Sequence, residues 1–242
     1  MFFAHPSSEG EESEEVTRER FTGVAPVFPL GSLTLLPNVV QPFHLFEPRY
    51  RQMGEDVVEG DGFLSFAVLR PGPGAAADYE KKSADIFRHV CVGQVMQYEP
   101  LPDGRWNLIV RGLWRAEIAE ELVEERPYRR AKLDVLPEQP AEAASDLDVA
   151  SHRDTLLELF HRAQPQLAEM SIVKSILERD MPLGLLVDFL AHALELSPGS
   201  GAALLAEPCA ARRCQFLTAM LQAFVRRRDK NDRPFPPEFS VN

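Results

Sequence analysis

The sequence predicts an α+β protein in which a strand-rich half precedes a helical half. Short apolar runs separated by turn residues fill positions 26–136, and only 49–59 among them has helical spacing. From residue 156 onward, apolar residues recur three and four positions apart, and the linker-like PEQPAEAAS separates the halves. We therefore predict a strand-rich part at about 25–140 and a part made of packed helices at about 146–228.

Length and charge limit the function classes. The 242 residues suffice for one large or two modest domains, with an ordinary 45% apolar and 26% charged content. The net charge is −11, and residues 1–20 contribute −4 from six acids and two bases. Nucleic acid binding needs a basic face, so no nucleic acid partner is expected. The basic cluster at 226–233 is typical of a solvated helix C-terminus.

Cysteine usage and apolar runs indicate the compartment. Cys91, Cys209 and Cys214 cannot form a disulfide framework, which indicates reducing surroundings. MFFAHPSSEGEESEE lacks the apolar core of a signal peptide, and no apolar run approaches the roughly 18–20 residues of a membrane span. We expect a cytoplasmic protein with no membrane partner, a disordered acidic tail at 1–22 and a C-terminal tail at 231–242.

Residues 26–53 carry the local signals around which the strand-rich half is organised. An apolar run turns at Gly31, and a second run follows before PFHLFE begins. Pro48 suits the first position of a helix, and Glu47 lies at the positive end of that helix. Arg51 is four residues beyond Glu47, within ion-pair spacing.

The middle of the chain is its most strand-like part. Two alternating runs, 89–98 and 105–111, are joined by Pro102-Asp103-Gly104, and Asp-Gly between such runs is a strong hairpin signal. Gly112 is predicted to break the second run before further strands. The preceding segment 71–87 is predicted to be a long loop, either a functional flap or a flexible insertion.

The second half of the chain has helical apolar spacing. Pro165 breaks the first run, Pro182 begins the second, and Ser197-Pro198-Gly199 ends it. A short helical turn is predicted at 202–206. A last helix at 209–228 has an apolar line formed by Phe216, Leu217, Met220, Leu221 and Phe224.

Several stretches resemble a known family. PVFPL, LLP and PFHLFEPRYRQM look like the opening of the substrate-binding N-terminal domain of ATP-dependent Lon proteases, the LON domain. A second signature is similar to the strands of that domain and consists of Val92-Gly93, Asp103-Gly104-Arg105, Arg111-Gly112, Pro127-Tyr128 and Ala131. PLGLLVDFLAHALEL and ALLAEPCAARRCQFLTAMLQ resemble its helical half, so the resemblance covers roughly residues 25–228.

The resemblance implies a fold and a task. The fold is a PUA-like antiparallel β-barrel subdomain at 23–140 followed by a helical subdomain at 146–230. The task is that of a free-standing LON-domain protein, which binds exposed or unfolded polypeptide segments in a groove between barrel and helices. A partner protease or chaperone would receive these segments, and a homodimer is left open. The sequence has no GxxxxGK[ST], no GxGxxG and no protease module, so neither catalysis nor a cofactor is expected.

No residue pattern indicates a catalytic or metal site. Cys209 and Cys214 have no second cysteine pair or histidine pair nearby, which favours core thiols over a zinc site. Asp188 and His192 lie one helical turn apart, which favours a helix-surface hydrogen bond over a shared ligand. No GxSxG is present. His44 lies between apolar neighbours, so we expect it to face solvent or to be a hydrogen-bond partner, in preference to acting as a general base.

The predicted protein-binding surface combines aromatic residues with arginines, the types that most often anchor interfaces. It comprises Arg49, Tyr50, Arg51, Trp106 and Arg115. The residues expected in the core are Phe43, Leu45, Phe46 and Trp114, and Tyr50 has the alternative of packing under the barrel. Two other functions stay open. An RNA-binding PUA-like module predicts a contiguous basic face, and an unrecognised hydrolase predicts a histidine bonded to a serine, cysteine or carboxylate.

Overall fold

The computed structural model describes residues 3–4, 14–31, 33–72, 84–123, 125–141, 144, 148–179, 181–194 and 196–231. Its elements in chain order are β1 (Phe3–Ala4), α1 (Glu14–Arg20), β2 (Val24–Leu30), β3 (Val40–Leu45), α2 (Pro48–Glu59), β4 (Phe63–Leu69), β5 (Ile86–Pro100), β6 (Trp106–Glu121), β7 (Arg129–Val135), α3 (Val149–Ala163), α4 (Pro165–Ala168), α5 (Ser171–Leu177), α6 (Leu183–Ala193), α7 (Pro198–Ala206) and α8 (Ala210–Asn231). The protein is therefore α+β, as predicted. Among these helices none has the length and apolar character needed to cross a membrane.

The seven strands join one sheet in the order β1-β5-β4-β2-β7-β6-β3, and β5 also pairs with β6. This additional pairing closes a ring of five strands and leaves β1 and β3 attached outside it. The prediction of wholly antiparallel strands is wrong at one pair, because β2 runs parallel to β4 with Val27 opposite Ser65. Parallel neighbours need a crossover connection, and β3 with α2 supplies it.

The hairpin of β5 and β6 is longer than predicted. The two strands have 15 and 16 residues, with the predicted turn between them. Gly112 lies inside β6 and does not break it. A Cβ at Gly112 would overlap Leu36 O, while the Gly112 backbone donates to Val39 O and accepts from Asn38 N, both at 2.8 Å. The glycine therefore admits a neighbouring backbone segment at this point of the strand.

Aromatic rings fill the inside of the strand-rich part. The Phe28 ring centroid lies 4.6 Å from that of Tyr50 and 6.0 Å from that of Phe43, and Phe43 stacks on Phe66 at 4.6 Å. A second buried cluster surrounds Phe63. Such ring pairs contribute about 0.5–1.5 kcal/mol each beyond the burial of their area.

Part of the predicted disordered tail is structured. α1 occupies Glu14–Arg20, and β1 pairs with β5. The guanidinium of Arg18 lies 5.3 Å from the Trp114 ring centroid, and the Phe21 ring meets Phe63 edge-on at 5.4 Å. The order of this segment was not predicted from its composition, because a cation–π contact of an arginine adds nothing to the apolar content of a segment. Residues 5–13, most of the predicted loop at 71–87 and residues 232–242 lie outside the described residues.

The chain forms two compact units, one of residues 1–138 with 191–208 and one of 139–190 with 209–242. This differs from the predicted single boundary near residue 140, since α7 belongs with the sheet. A Cβ at Gly201 on α7 would overlap Thr34 Oγ1, so the helix lies close to the segment before β3. α7 is longer than the predicted turn because Ser197 caps it, accepting from Ser200 N at 3.3 Å.

In the second unit, α3 packs against α8. The fully buried side chains on these helices include Leu156, Phe160, Cys214 and Leu217. Phe216 and Phe224, predicted on the buried line of the last helix, are exposed, because the buried stripe follows positions 214, 217, 221 and 225. The predicted break at Pro165 is confirmed, since α3 ends at Ala163 and Pro165 begins α4.

Candidate functional site

β3 exposes one row of side chains to solvent. Val40, Pro42 and His44 are exposed, while Leu45 at the end of the strand is buried. Phe46 follows directly and is 61% exposed, and Val40 is 56% exposed. Isolated exposed apolar residues are ordinary, but here one lies at the start of β3 and another directly after its end, on the same side as the exposed row.

The row continues onto β6. Val40 is paired with Arg111, Pro42 with Ile109 and His44 with Asn107, and directly opposed residues share one face of a sheet. We call the group Val40, Pro42, His44, Phe46, Ile109 and Arg111 the outer face. The Arg111 side chain is exposed and, within the part of the chain that the structure describes, has no hydrogen-bond, ion-pair or ring partner.

A chain of hydrogen bonds crosses three strands beside the outer face. Asn107 Nδ2 donates to Glu99 at 2.8 Å, which leaves Asn107 Oδ1 to accept from His44 Nδ1 at 2.7 Å. Arg105 Nη1 then donates to His44 Nε2 at 3.2 Å, since a guanidinium can only donate. The Phe46 ring lies parallel to the His44 ring with 6.2 Å between centroids. His44 is thus a hydrogen-bond partner, as predicted, and it orients Phe46.

Helix α2 supports this corner. A Cβ at Gly54 would approach both Leu45 Cδ1 and Trp106 Cδ1 to 3.0 Å, so the glycine lets the helix lie directly on these side chains. Arg51 Nε donates to Gly104 O in the hairpin turn at 2.8 Å. The predicted pairing of Arg51 with Glu47 is therefore replaced by one with the turn. Helix α2 is therefore in contact with both the end of β3 and the hairpin turn.

A second polar cluster fixes the far end of α2. Asp56 accepts hydrogen bonds from the Tyr128 hydroxyl and from Arg126, and Arg126 also donates to Tyr128 at 2.8 Å. Burial and the bond to Asp56 raise the pKa of Tyr128 to about 12. Partial burial acts to raise the pKa of Asp56, but bonds from Tyr128, Gln52 and Arg126 outweigh it and lower that pKa. The cluster ties the helix to the segment before β7.

The structure divides the predicted binding residues. Tyr50 is 4% exposed and packs on Phe28, and Arg115 is 3% exposed and donates from Nε to Leu204 O at 3.1 Å, so neither offers a surface. Both side chains hold packed elements together. Arg49 and Arg51 are partly buried, and Arg49 pairs with Glu47 at 2.8 Å.

Trp106, the fifth predicted residue, is half-buried between Tyr98 and the Gly54 side of α2. It lies at the same corner as Arg49, Tyr50 and Arg51, whereas Arg115 lies elsewhere on the sheet, under α7. The structure thus brings four of the five residues together, as the support of the outer face.

Sequence reasoning missed the residues that are exposed. Phe46 was expected in the core with Phe43 and Leu45, of which Leu45 is buried and Phe43 packs on Phe66. The signal was present, since the period of two that puts positions 43 and 45 on one face puts 44 and 46 on the other. Arg111 carries no local signal, because its exposure depends on strand pairing.

Histidines and cysteines were the other candidates. The described residues contain no group of three or more His, Cys, Asp or Glu side chains placed to hold a metal ion. Cys209 and Cys214 are buried free thiols, and burial raises the pKa of Cys214. Asp188, weighed as a ligand partner of His192, is buried beside Arg213, with 3.5 Å between Oδ1 and Nε. Burial lowers the pKa of His192.

Two other histidines bond to backbone carbonyls. His152 and His161 bond through Nδ1 to the carbonyls of Asp148 and Leu157. Across the described ranges, no histidine side chain is hydrogen-bonded to a serine, cysteine or carboxylate side chain, the arrangement that the hydrolase alternative predicts.

Charges on the sheet are mixed in sign. The cation–carboxylate pairs include Arg88–Glu117, Arg105–Asp103, Arg129–Glu121 and Lys132–Glu120. Bonds from the Arg105 backbone N–H and then its guanidinium lower the pKa of Asp103. Interspersed acids neutralise a phosphate-binding surface, so this pattern differs from the contiguous basic face of the RNA alternative.

The fold and the exposed face define a class of protein that can be compared with known ones. The family model described as the ATP-dependent protease La (LON) substrate-binding domain matches residues 24–223. This span is most of the chain, and the chain belongs to that family of substrate-binding domains. The resemblance inferred from the sequence is confirmed.

Solved structures show the same fold. The N-terminal domain of Lon protease from the Mycobacterium avium complex matches with a TM-score of 0.61 and 18% identity, covering 82% of this chain and 98% of that one. A Lon N-terminal domain protein from Xanthomonas campestris matches with a TM-score of 0.57 and 19% identity, covering 81% and 97%.

Curated relatives are much longer than the matched region. Lon protease of Cytophaga hutchinsonii is 29% identical over 126 residues, which is 52% of this chain and 15% of that protein. Lon protease of Dictyoglomus thermophilum is 25% identical over 191 residues, which is 77% and 23%. The chain therefore spans about a quarter or less of the length of these relatives.

Proposed function

We propose that this chain binds polypeptide through the outer face and carries out no chemical step on it. The observation that carries the proposal is the exposed row on β3, with Phe46 and Val40 both more than half exposed in a family of substrate-binding domains. Exposed apolar residues that share one side of a strand with unpaired backbone groups are candidates for an interaction site.

The corner around Phe46 has the features of a binding anchor. An exposed aromatic ring is held in place by His44, which is itself held by Asn107 and Arg105. A ring that is already oriented loses little conformational entropy when a partner covers it. Behind it, Trp106 lies against α2 at Gly54, and Arg51 bonds to Gly104 O in the hairpin turn.

The ligands proposed are exposed or unfolded polypeptide segments, with a partner protease or chaperone as recipient. We also infer that the ring of five strands is a PUA-like barrel and that the second unit is a helical bundle. The closed pairing of β5 with β6 and the packing of α3 on α8 support these two inferences.

The test is a titration of a fluorescently labelled, reduced and carboxymethylated polypeptide followed by anisotropy. Phe46→Ser should weaken binding at least about tenfold, because burying a phenylalanine contributes roughly 1.5–3 kcal/mol. Val123→Ser is the matched control, since Val123 is fully exposed in the same unit but distant from β3 in sequence and pairing. Thermal unfolding should be unchanged in both variants.

Two results would argue against the proposal. One is the absence of binding at high micromolar polypeptide concentration. The other is equal binding by Phe46→Ser and by the Val123→Ser control.

A further inference from the structure

The backbone of β3 is unpaired on one side. β3 is the last strand of the sheet order, and its pairing within the described residues is to β6. Gly112 N donates to Val39 O at 2.8 Å, which fixes the alternation of the antiparallel ladder. Positions 41, 43 and 45 therefore direct their N–H and C=O groups at β6. Val40, Pro42 and His44 direct theirs away from it.

The outward backbone groups form an incomplete ladder. Val40 and His44 each present an N–H and a C=O, whereas Pro42 presents a C=O alone. Proline at such a position is typical of an edge strand, because its missing N–H would face away from the sheet. None of these three residues has a further interaction in the described chain that would occupy its outward groups.

Charge marks one end of this edge. Arg111 lies opposite Val40, and its exposed side chain has no hydrogen-bond or ion-pair partner in the described residues, although the whole chain has a net charge of −11. Phe46 lies at the other end, six positions along the chain. An arginine side chain can reach over one strand spacing, about 4.8 Å, to a side chain on a strand added beside β3. The edge therefore offers a cation at one end and an aromatic ring at the other.

We propose that an extended polypeptide segment binds as an added strand along the outer edge of β3, with a carboxylate at the Arg111 end and an apolar side chain at the Phe46 end. This inference rests on the proposed function and states the form in which the polypeptide is bound. Main-chain bonds to Val40, Pro42 and His44 supply affinity for any extended segment. Arg111 and Phe46 supply the preference among sequences.

A second copy of the chain fits the same edge less well. Antiparallel self-pairing centred on Pro42 would set two Pro42 carbonyls against each other with no N–H between them. It would also bring no carboxylate to Arg111. A separate polypeptide can place N–H groups opposite these carbonyls, so the missing donor selects against self-association.

The experiment uses a labelled ten-residue peptide of alternating apolar residues with one Asp, and a series in which single backbone nitrogens are methylated. Affinities are measured by anisotropy with the full chain. Methylation should weaken binding about tenfold at alternate positions and leave the positions between them unchanged, since alternate N–H groups of an added strand face β3. Arg111→Glu should lower the affinity for the Asp peptide about fivefold. The same variant should regain this affinity for a peptide in which the Asp is replaced by Lys.

A third variant should raise the affinity for the peptide. Pro42→Val restores an outward N–H without altering the side of β3 that faces β6, so the peptide should bind several-fold more tightly. Loss of affinity in this variant would overturn the inference.

The outcomes separate the two proposals. Binding without the alternating pattern, or unaffected by charge at residue 111, overturns strand addition and leaves polypeptide binding standing. No binding of either the peptide or an unfolded polypeptide overturns both. Dimerisation in sedimentation experiments that competes with the peptide assigns the edge to a second copy and overturns the inference.

Discussion

Replacing Tyr128 by Phe tests whether the Asp56 cluster holds α2 in place. The Tyr128 ring is buried, its hydroxyl donates to Asp56, and Arg126 donates to it at 2.8 Å. The substitution keeps the ring and removes these two hydrogen bonds. Bonds to charged groups contribute about 1.5–3 kcal/mol. Asp56 and Arg126 are partly exposed and regain water, so we expect the free energy of unfolding to fall by about 1–2 kcal/mol.

The pH dependence of this loss has a defined sign. The pKa of Tyr128 is about 12 in the folded protein and about 10 when unfolded, so its contribution is complete below pH 10 and is lost as the pH rises through 12. The folded pKa of Asp56 is lowered, so its contribution is complete above about pH 4 and is lost as the pH falls through that lowered value. The difference between wild type and Tyr128→Phe should be constant between these limits.

Urea denaturation at several pH values between 4 and 9 measures the effect. Asp56→Asn is the control background, in which Tyr128→Phe should cost much less because its charged acceptor is gone. An equal cost in both backgrounds would refute the coupling between these side chains. So would a cost at pH 7 below about 0.5 kcal/mol, the size of an ordinary surface substitution.

Two packing predictions follow from the same unit. Gly201→Ala should lower the free energy of unfolding by about 1–3 kcal/mol in urea titrations, because the new Cβ overlaps Thr34. The loss is expected despite the higher helix propensity of alanine. The double variant with Thr34→Ala should recover part of the lost free energy. Arg115→Met should cost about 2–3 kcal/mol, because it leaves Leu204 O without its buried donor. Arg105→Met, on the exposed hairpin turn, should cost less than about 0.5 kcal/mol, and a loss as large as that of Arg115→Met would contradict the assignment.

Local signals in the sequence predicted the elements well. The Asp103-Gly104 turn, the start of α2 at Pro48 and the break at Pro165 all depend on residues within one turn of the feature, and all are found. The family resemblance rested on such segments too, and the family match confirms it.

Long-range pairing could not be predicted in the same way. Gly112 was taken for a break because the backbone segment that approaches it lies more than 70 positions earlier in the chain. Arg115 was taken for a surface residue because its acceptor, Leu204 O, is 89 positions away. The parallel pairing of β2 with β4 depends on the crossover formed by β3 and α2, which local propensity does not specify.

The residues predicted for the binding surface and the residues of the outer face come from overlapping parts of the chain. The aromatic and arginine content of PFHLFEPRY drew the prediction to this segment. Strand pleat and contact with α2 decide which large side chains in this segment are packed and which are exposed. Tyr50 is buried and Arg51 bonds to the hairpin turn, whereas Phe46 is exposed. Composition alone does not separate these two roles.

Amide hydrogen exchange of β3, measured with and without saturating unfolded polypeptide, tests whether a bound segment adds to this strand. Strand addition should slow exchange at Val40 and His44, whose N–H groups face away from β6, and should change it little at Phe43, whose N–H already faces the sheet. Polypeptide binding that leaves the exchange of Val40 and His44 unchanged, with protection appearing only on elements outside the outer face, would contradict it.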